Sequence, residues 1–194
     1  MELKEIEKAN TKYLGKKVIY YEEIESTHKK AKELATSKTE NGTIIIADKQ
    51  TGGIGTKGRS WYTGNNNIAM TIIIYPEGSI KELEGLTIEI AKSMQSAIKE
   101  LYKYNLQIKQ PNDLILNGKK ISGILTQAST QNGKIKYLLI SIGFNVNEEN
   151  FSEETQKIAT SLKKEYKNEF QREGIIIRFL EILENKIAHF IKME

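Results

Sequence analysis

The sequence predicts an α+β domain, and three observations predict it. Two Asn-Gly pairs, Asn117-Gly118 and Asn132-Gly133, each sit between apolar runs. Both turn positions of such a pair favour positive φ, which suits a two-residue hairpin. The strands they join form an antiparallel meander rather than a series of strand–helix–strand units. Two other stretches repeat at helical spacing: Leu86, Ile90, Met94, Ala97 and Leu101, then Ile176, Phe179, Leu183, Ile187 and Phe190.

Taken in order, Leu3 to Leu14 reads as a short helix. Lys17 to Glu23 carries Val18, Ile19, Tyr20 and Tyr21, a strand signal. From Thr27 to Ala35, Ala31, Leu34 and Ala35 share one helical face. Thr43 to Ala47 is a short β-branched strand. Lys49 to Asn67 is a glycine- and asparagine-rich loop, and Ile68 to Tyr75 is a strand ended by Pro76. Leu86 to Tyr102 is the main amphipathic helix. Strands follow at Leu106 to Lys109, Leu114 to Leu116, Ile121 to Gln127 and Ile135 to Ile142. A C-terminal helix runs to near Met193.

The chain has 194 residues, a length that suits one domain burying roughly 70% of its unfolded surface. Hydrophobic residues are 39% and charged residues 28%, a globular composition. Without cysteine there is no disulfide framework, no thiolate zinc site and no enzyme-bound thioester. That fits a cytoplasmic location. No apolar run reaches the ~20 residues of a membrane span, and Met1 to Asn10 lacks a signal-peptide core. The net charge of +4 is mild, and lysines alternate with glutamates, which favours a solvated surface over a nucleic-acid footprint. His28 and His189 are isolated and read as structural or surface residues, with no metal site.

Gly53-Ile54-Gly55-Thr56-Lys57-Gly58 matches G-x-G-x-x-G after a strand. A dinucleotide fold is excluded, because that fingerprint needs a helix to start inside the motif. Arg59 to Asn67 is poor helix material, and a strand follows. The glycines could still turn backbone N–H groups into an anion-binding nest, with Lys57 and Arg59 adding charge and Trp61 a flat face for a purine. An ordinary loop anchored by its Trp fits the spacing equally well.

In Lys109-Gln110-Pro111-Asn112-Asp113 the proline marks a bend or bulge between strands. Asp113 alone would be a turn-stabilising carboxylate. Lys119 and Lys120 leave the Asn117-Gly118 turn, and Gly123 marks close approach of a ligand or backbone. Regular alternation places Lys120, Ser122, Ile124 and Thr126 on one face. Facing a cleft, Lys120 would stabilise an anion; facing water, it would be an ordinary hairpin lysine. Ser26-Thr27 is an N-cap that also presents free N–H groups.

In this order the segments resemble the biotin–protein ligases, also called holocarboxylase synthetases. The resemblance runs from about Gly15 to Phe190. It rests on Glu25-Ser26-Thr27, Gln50 to Trp61, Lys109 to Asp113, Lys119-Lys120-Ile121-Ser122-Gly123-Ile124-Leu125 and Ile142-Gly143-Phe144-Asn145-Val146-Asn147. It implies a class II aminoacyl-tRNA synthetase-like α+β fold, a mostly antiparallel mixed sheet flanked by helices. It implies a two-step reaction: the biotin carboxylate attacks the α-phosphate of ATP, and a carrier lysine then attacks the biotinyl-adenylate. Lys120, Arg59 and Asp113 would be catalytic. Ser26, Thr27, Gln50, Gly53 and Gly123 would hold biotin. Gly55, Thr56, Lys57, Gly58, Trp61, Asn112 and Asn145 would hold ATP and the adenylate. Mg²⁺ would arrive with ATP rather than on a protein cluster.

The implied partner is a biotin carboxyl carrier protein or domain, with a homodimer plausible and neither DNA nor membrane involved. Residues 1–194 would be a single catalytic domain, without an N-terminal helix-turn-helix or a C-terminal small β-barrel. The family loop usually reads G-R-G-R-x-G-R. Here Ile54 and Thr56 take the first two arginine positions, and Arg59 keeps the third. A lipoate or octanoate ligase on the same fold is the nearest alternative, followed by a biotin-binding protein with impaired catalysis.

Overall fold

The computed structural model describes residues 1–64, 66–188 and 190. The expectations for His189 and for a helix end near Met193 lie outside these residues. Seven strands form one mixed sheet: β1 (Val18–Ile24), β2 (Ile44–Gln50), β3 (Ile68–Ile74), β4 (Gln107–Lys109), β5 (Asp113–Leu116), β6 (Lys119–Gln131) and β7 (Lys134–Phe144). Their spatial order is β1-β2-β3-β7-β6-β5-β4. Only β1 and β2 are parallel, joined across α2 (Thr27–Thr36); every other pair is antiparallel. The remaining helices are α1 (Leu3–Glu7), α3 (Leu86–Tyr102), α4 (Thr155–Ile158), α5 (Leu162–Tyr166) and α6 (Arg172–Ile187).

Both hairpin turns are as the Asn-Gly pairs predict. Asn117 and Gly118 have φ of 50° and 78°, and Asn132 and Gly133 have 52° and 77°. The strands around the second turn run on further than expected, from Lys119 to Gln131 and from Lys134 to Phe144. The helix expected from Leu3 to Leu14 stops at Glu7. From Asn10 on, most of the N–H groups in this stretch have tertiary partners instead. Asn10 donates to Glu181 at 3.1 Å, and Tyr13 and Leu14 donate to Glu184 at 2.9 and 2.8 Å, both acceptors on α6.

The sheet has two unequal faces. One carries the main core, where Ile72, Ile140, Ile142, Ile124 and Phe144 meet Ile90, Met94 and Ile98 of α3 and Ile176, Phe179 and Leu183 of α6. The other is covered by α2, whose Ala31 and Ala35 pack on Ile45, Ile73, Leu139 and Tyr137. On this second face the paired positions of β3 and β7 change character along the strands. Ile73 and Leu139 are apolar under α2. Thr71 and Ser141 carry hydroxyls near the N-terminus of α2. Ala69 and Gly143 then leave the backbone nearly bare. That gradient is where the cavity opens.

Candidate active site

A cavity of about 330 Å³ lies on the α2 face. Its polar end is built on the start of α2. Ser26 caps the helix, accepting from Lys29 N at 3.4 Å. Gln50, at the end of β2, turns its amide toward Thr27. Its Oε1 accepts from Thr27 N at 2.8 Å and from Thr27 Oγ1 at 3.1 Å, while its Nε2 donates to Thr63 Oγ1 at 3.1 Å. Thr71 donates to Thr27 Oγ1 at 3.0 Å. His28, 6% exposed, places Nδ1 at 2.8 Å from Ser141 Oγ and Nε2 at 2.6 Å from Gln127 Oε1. Burial pushes the imidazole below its ordinary range; the Gln127 hydrogen bond opposes that shift and nearby Lys32 adds to it.

The middle of the cavity is floored by glycine. Trp61 lies flat over β6 and β7, so a Cβ on Gly143 would come within 2.2 Å of its indole, and one on Gly123 within 3.0 Å. Only a missing side chain permits this approach. The segment before Trp61 folds into a small flap. Ile54 pairs with Ser60, Gly55 N donates to Arg59 O at 2.7 Å, and Trp61 N donates to Gly53 O at 2.9 Å. A Cβ on Gly53 would meet Trp61 O at 2.2 Å, so this glycine serves the flap's own backbone.

Lys120 stands at the charged end. Its Nζ is 2.7 Å from Asp113 Oδ1 and 5.4 Å from the Trp61 ring centre. The contact is an ion pair out of hydrogen-bond alignment, and Asp113 Oδ1, although buried, has no hydrogen-bond donor among the described residues. Regular alternation fails here. Leu114 pairs with Ser122 but Ile115 with Lys120, so two residues of β6 oppose one of β5. Ile121 therefore joins Ile124 in the core, and Lys120 shares the cavity face with Gly123. The expectation that Lys120, Ser122, Ile124 and Thr126 share one face is corrected by this bulge.

The sequence-predicted residues are gathered to different degrees. Ser26, Thr27, Gln50, Trp61, Lys120 and Gly123 line the cavity, as do Gly55, Thr56, Arg59, Asn112 and Asn145. Arg59 is tied back to its own flap, with Nε on Thr56 O at 3.2 Å and Nη2 on Thr56 Oγ1 at 2.9 Å. Asn112 and Asn145 spend their amides on Ile124 O and Thr160 O, each at 3.0 Å. Lys57 and Gly58 are exposed at the flap's tip, Gly53 is buried inside the flap, and Asp113 stands behind Lys120; these four lie off the wall.

Sequence reasoning missed three parts of the wall. His28 and Ser141 lie deep in the polar end. Gly143 shares the floor, as strict alternation with Ser141 on β7 could have shown. The segment carrying Phe151, Thr155, Ile158 and Ala159 closes the charged end, held where Thr160 N donates to Lys120 O at 2.9 Å. It carries no periodic signal.

Residues 20–147 match the model of the biotin/lipoate A/B protein ligase family. The chain is 34% identical over 184 residues to the bifunctional ligase/repressor BirA of Bacillus subtilis, covering 93% of this chain and 57% of that protein. It is 30% identical over 193 residues to the biotin–protein ligase of Homo sapiens, covering 93% of this chain and 26% of that one. The chain thus spans little more than half the length of the bacterial relative. Among solved structures, biotin protein ligase from Aquifex aeolicus in complex with biotin and ATP aligns with a TM-score of 0.77 at 27% identity, over 91% of this chain and 72% of that one. On its sequence, its mixed seven-stranded sheet and this likeness, the chain belongs to the biotin/lipoate A/B protein ligase family.

Proposed function

We propose that this chain activates biotin with ATP and passes the biotinyl group to a lysine of a carrier protein. The supporting observation is the cavity's polarity. Thr27 and Gln50 offer hydrogen bonds to an uncharged polar head, the Trp61 indole seated on Gly123 and Gly143 offers a flat apolar wall, and Lys120 waits at the far end for an anion. The solved complex of the Aquifex aeolicus ligase holds biotin and ATP, which fits that division.

In the first step a biotin carboxylate oxygen attacks the α-phosphorus, and the bond to pyrophosphate breaks. Two anions must meet, and the Lys120 ammonium offsets their repulsion where charge develops. Arg59 adds a second positive group once it leaves Thr56. Trp61 and the flap shield the mixed anhydride from water. In the second step the carrier amine attacks the acyl carbon and AMP leaves. The amine loses a proton, and Asp113 is assigned to take it. Among the described residues no three His, Asp or Glu side chains converge on one point. Mg²⁺ would therefore come with ATP rather than on a protein cluster, and would supply positive charge that offsets the phosphates. The carrier would be a biotin carboxyl carrier protein or domain, met in the cytoplasm. No described helix is long and apolar enough to cross a membrane.

Biotin-dependent ATP–pyrophosphate exchange, with lipoate and octanoate in parallel, tests the reading. Exchange with biotin alone supports it. Exchange with another acid reassigns the substrate. Tight biotin binding by calorimetry without exchange would make this a binding protein.

A further inference from the structure

We infer that His28 is a positioning residue: its Nδ1–H heads a one-way chain of hydrogen bonds that fixes what Thr27 and Gln50 offer to a ligand. This rests on the ligase reading above for the ligand, and on proton counting for the chain. A hydroxyl has one proton to give. The Thr27 hydroxyl gives its proton to Gln50 Oε1, at 3.1 Å. Thr71 gives its own to Thr27 Oγ1, at 3.0 Å. The 2.8 Å contact between Thr71 and Ser141 must then be made with Ser141's proton. Ser141 has none left for His28, 2.8 Å away, so Nδ1 must be the donor there.

Nε2 faces Gln127 Oε1 at 2.6 Å. Either Nε2 also carries a proton and the ring is a cation, or the Gln127 amide turns and donates to it. Burial disfavours the cation. Nδ1 is protonated in both states, so the direction of the chain is the same in both.

The consequence appears at the far end of the chain. Gln50 Oε1 is saturated by the Thr27 N–H and hydroxyl. Thr63 is the one acceptor of Gln50 Nε2 among the described residues, so an amide N–H remains to offer. Among the described residues Thr27 Oγ1 accepts only from Thr71, which leaves it one lone pair. The site thus presents one donor beside one acceptor. A cyclic urea, with a carbonyl beside an N–H, complements that pair; a plain alkyl acid does not.

Ring-nitrogen NMR on 15N-histidine-labelled protein tests the head of the chain. The chain has two histidines, so one His189→Gln variant assigns both rings. The expected result is a protonated Nδ1 on His28, as the Nδ1–H tautomer or the imidazolium. A bare Nδ1 with protonated Nε2 would overturn the inference. Steady-state exchange kinetics test the far end. His28→Leu and Ser141→Ala remove a link, and each should raise KM for biotin about tenfold, the effect of one lost hydrogen bond, with kcat changed less. His28→Asn places an amide N–H near Nδ1 and should stay within about threefold of the parent. A folded His28→Leu protein with unchanged KM would also sink the proposal. If the parent protein uses no biotin, the ligase reading fails, while the NMR result still decides the direction of the chain.

Discussion

At Ile121 two residues of β6 stand against one of β5, and the Lys120 ammonium reaches the cavity because of that extra residue. Lys120→Ala should reduce pyrophosphate exchange by at least about a hundredfold, the loss of one well-placed electrostatic group. The variant also leaves the Asp113 carboxylate without its cation, so its melting temperature should fall by a few degrees, and exchange is compared where both proteins are folded. Near-normal exchange would remove Lys120 from the chemistry. Gly143 makes a second residue-scale case. Gly143→Ala would put a methyl 2.2 Å from the indole, and Trp61 rides on a flap rather than in a strand. The ring should therefore yield first. Trp61 is the only tryptophan, so acrylamide quenching of its fluorescence should rise several-fold. Unchanged quenching would mean that the strand moves instead.

Among the elements, α6 is fixed to the sheet by its first residue. Arg172, 9% exposed, donates to Asp48 Oδ1 of β2 at 2.6 Å and to Asn67 O at 3.0 Å. Tyr20 of β1 donates to the other Asp48 oxygen, and that hydrogen bond first, with burial second, pushes the phenol up to about 12. Burial alone would raise the Asp48 carboxyl, yet hydrogen bonds from Tyr20 and Arg172 outweigh it and hold the group below its usual range. Arg172→Met leaves Asp48 without its cation. It should cost about 2 kcal/mol in urea unfolding, discounted because Asp48 is partly exposed. The boundaries of α3 and the two Asn-Gly hairpins were legible in the sequence, since local periodicity and turn chemistry decide them. The parallel β1–β2 pair was not, because pairing partners far apart leave no local pattern. Neither were α4 and α5, of four and five residues, too short to show a period. The site divides in the same way. Thr27, Gln50, Trp61 and Lys120 were legible through ordered motifs. The link from His28 to Thr27 depends on which strand residues end up side by side.

For the whole molecule, His28 gives stability a dependence on acidity. Its folded pKa lies below the unfolded value, so the unfolded chain takes up the proton first as pH falls. Stability should fall on acidification from about pH 6.5 until the folded ring also titrates. Asp48 and Glu165, both held below their usual range, lose their contribution only nearer pH 4. Urea melts between pH 7.5 and 5 should show the first slope, and His28→Asn should flatten it. An equal slope in both proteins would assign it to another group.

The cavity wall begins at Ser26 and ends at Ala159. On a ribosome the first part of the wall therefore emerges on the order of ten seconds before the last. For that interval a nascent chain has hydroxyls but no floor and no cation, so no substrate can guide its folding. The apolar face that α3 and α6 later cover must organise the strands alone, and affinity for a ligand can arise only once most of the chain has been synthesised.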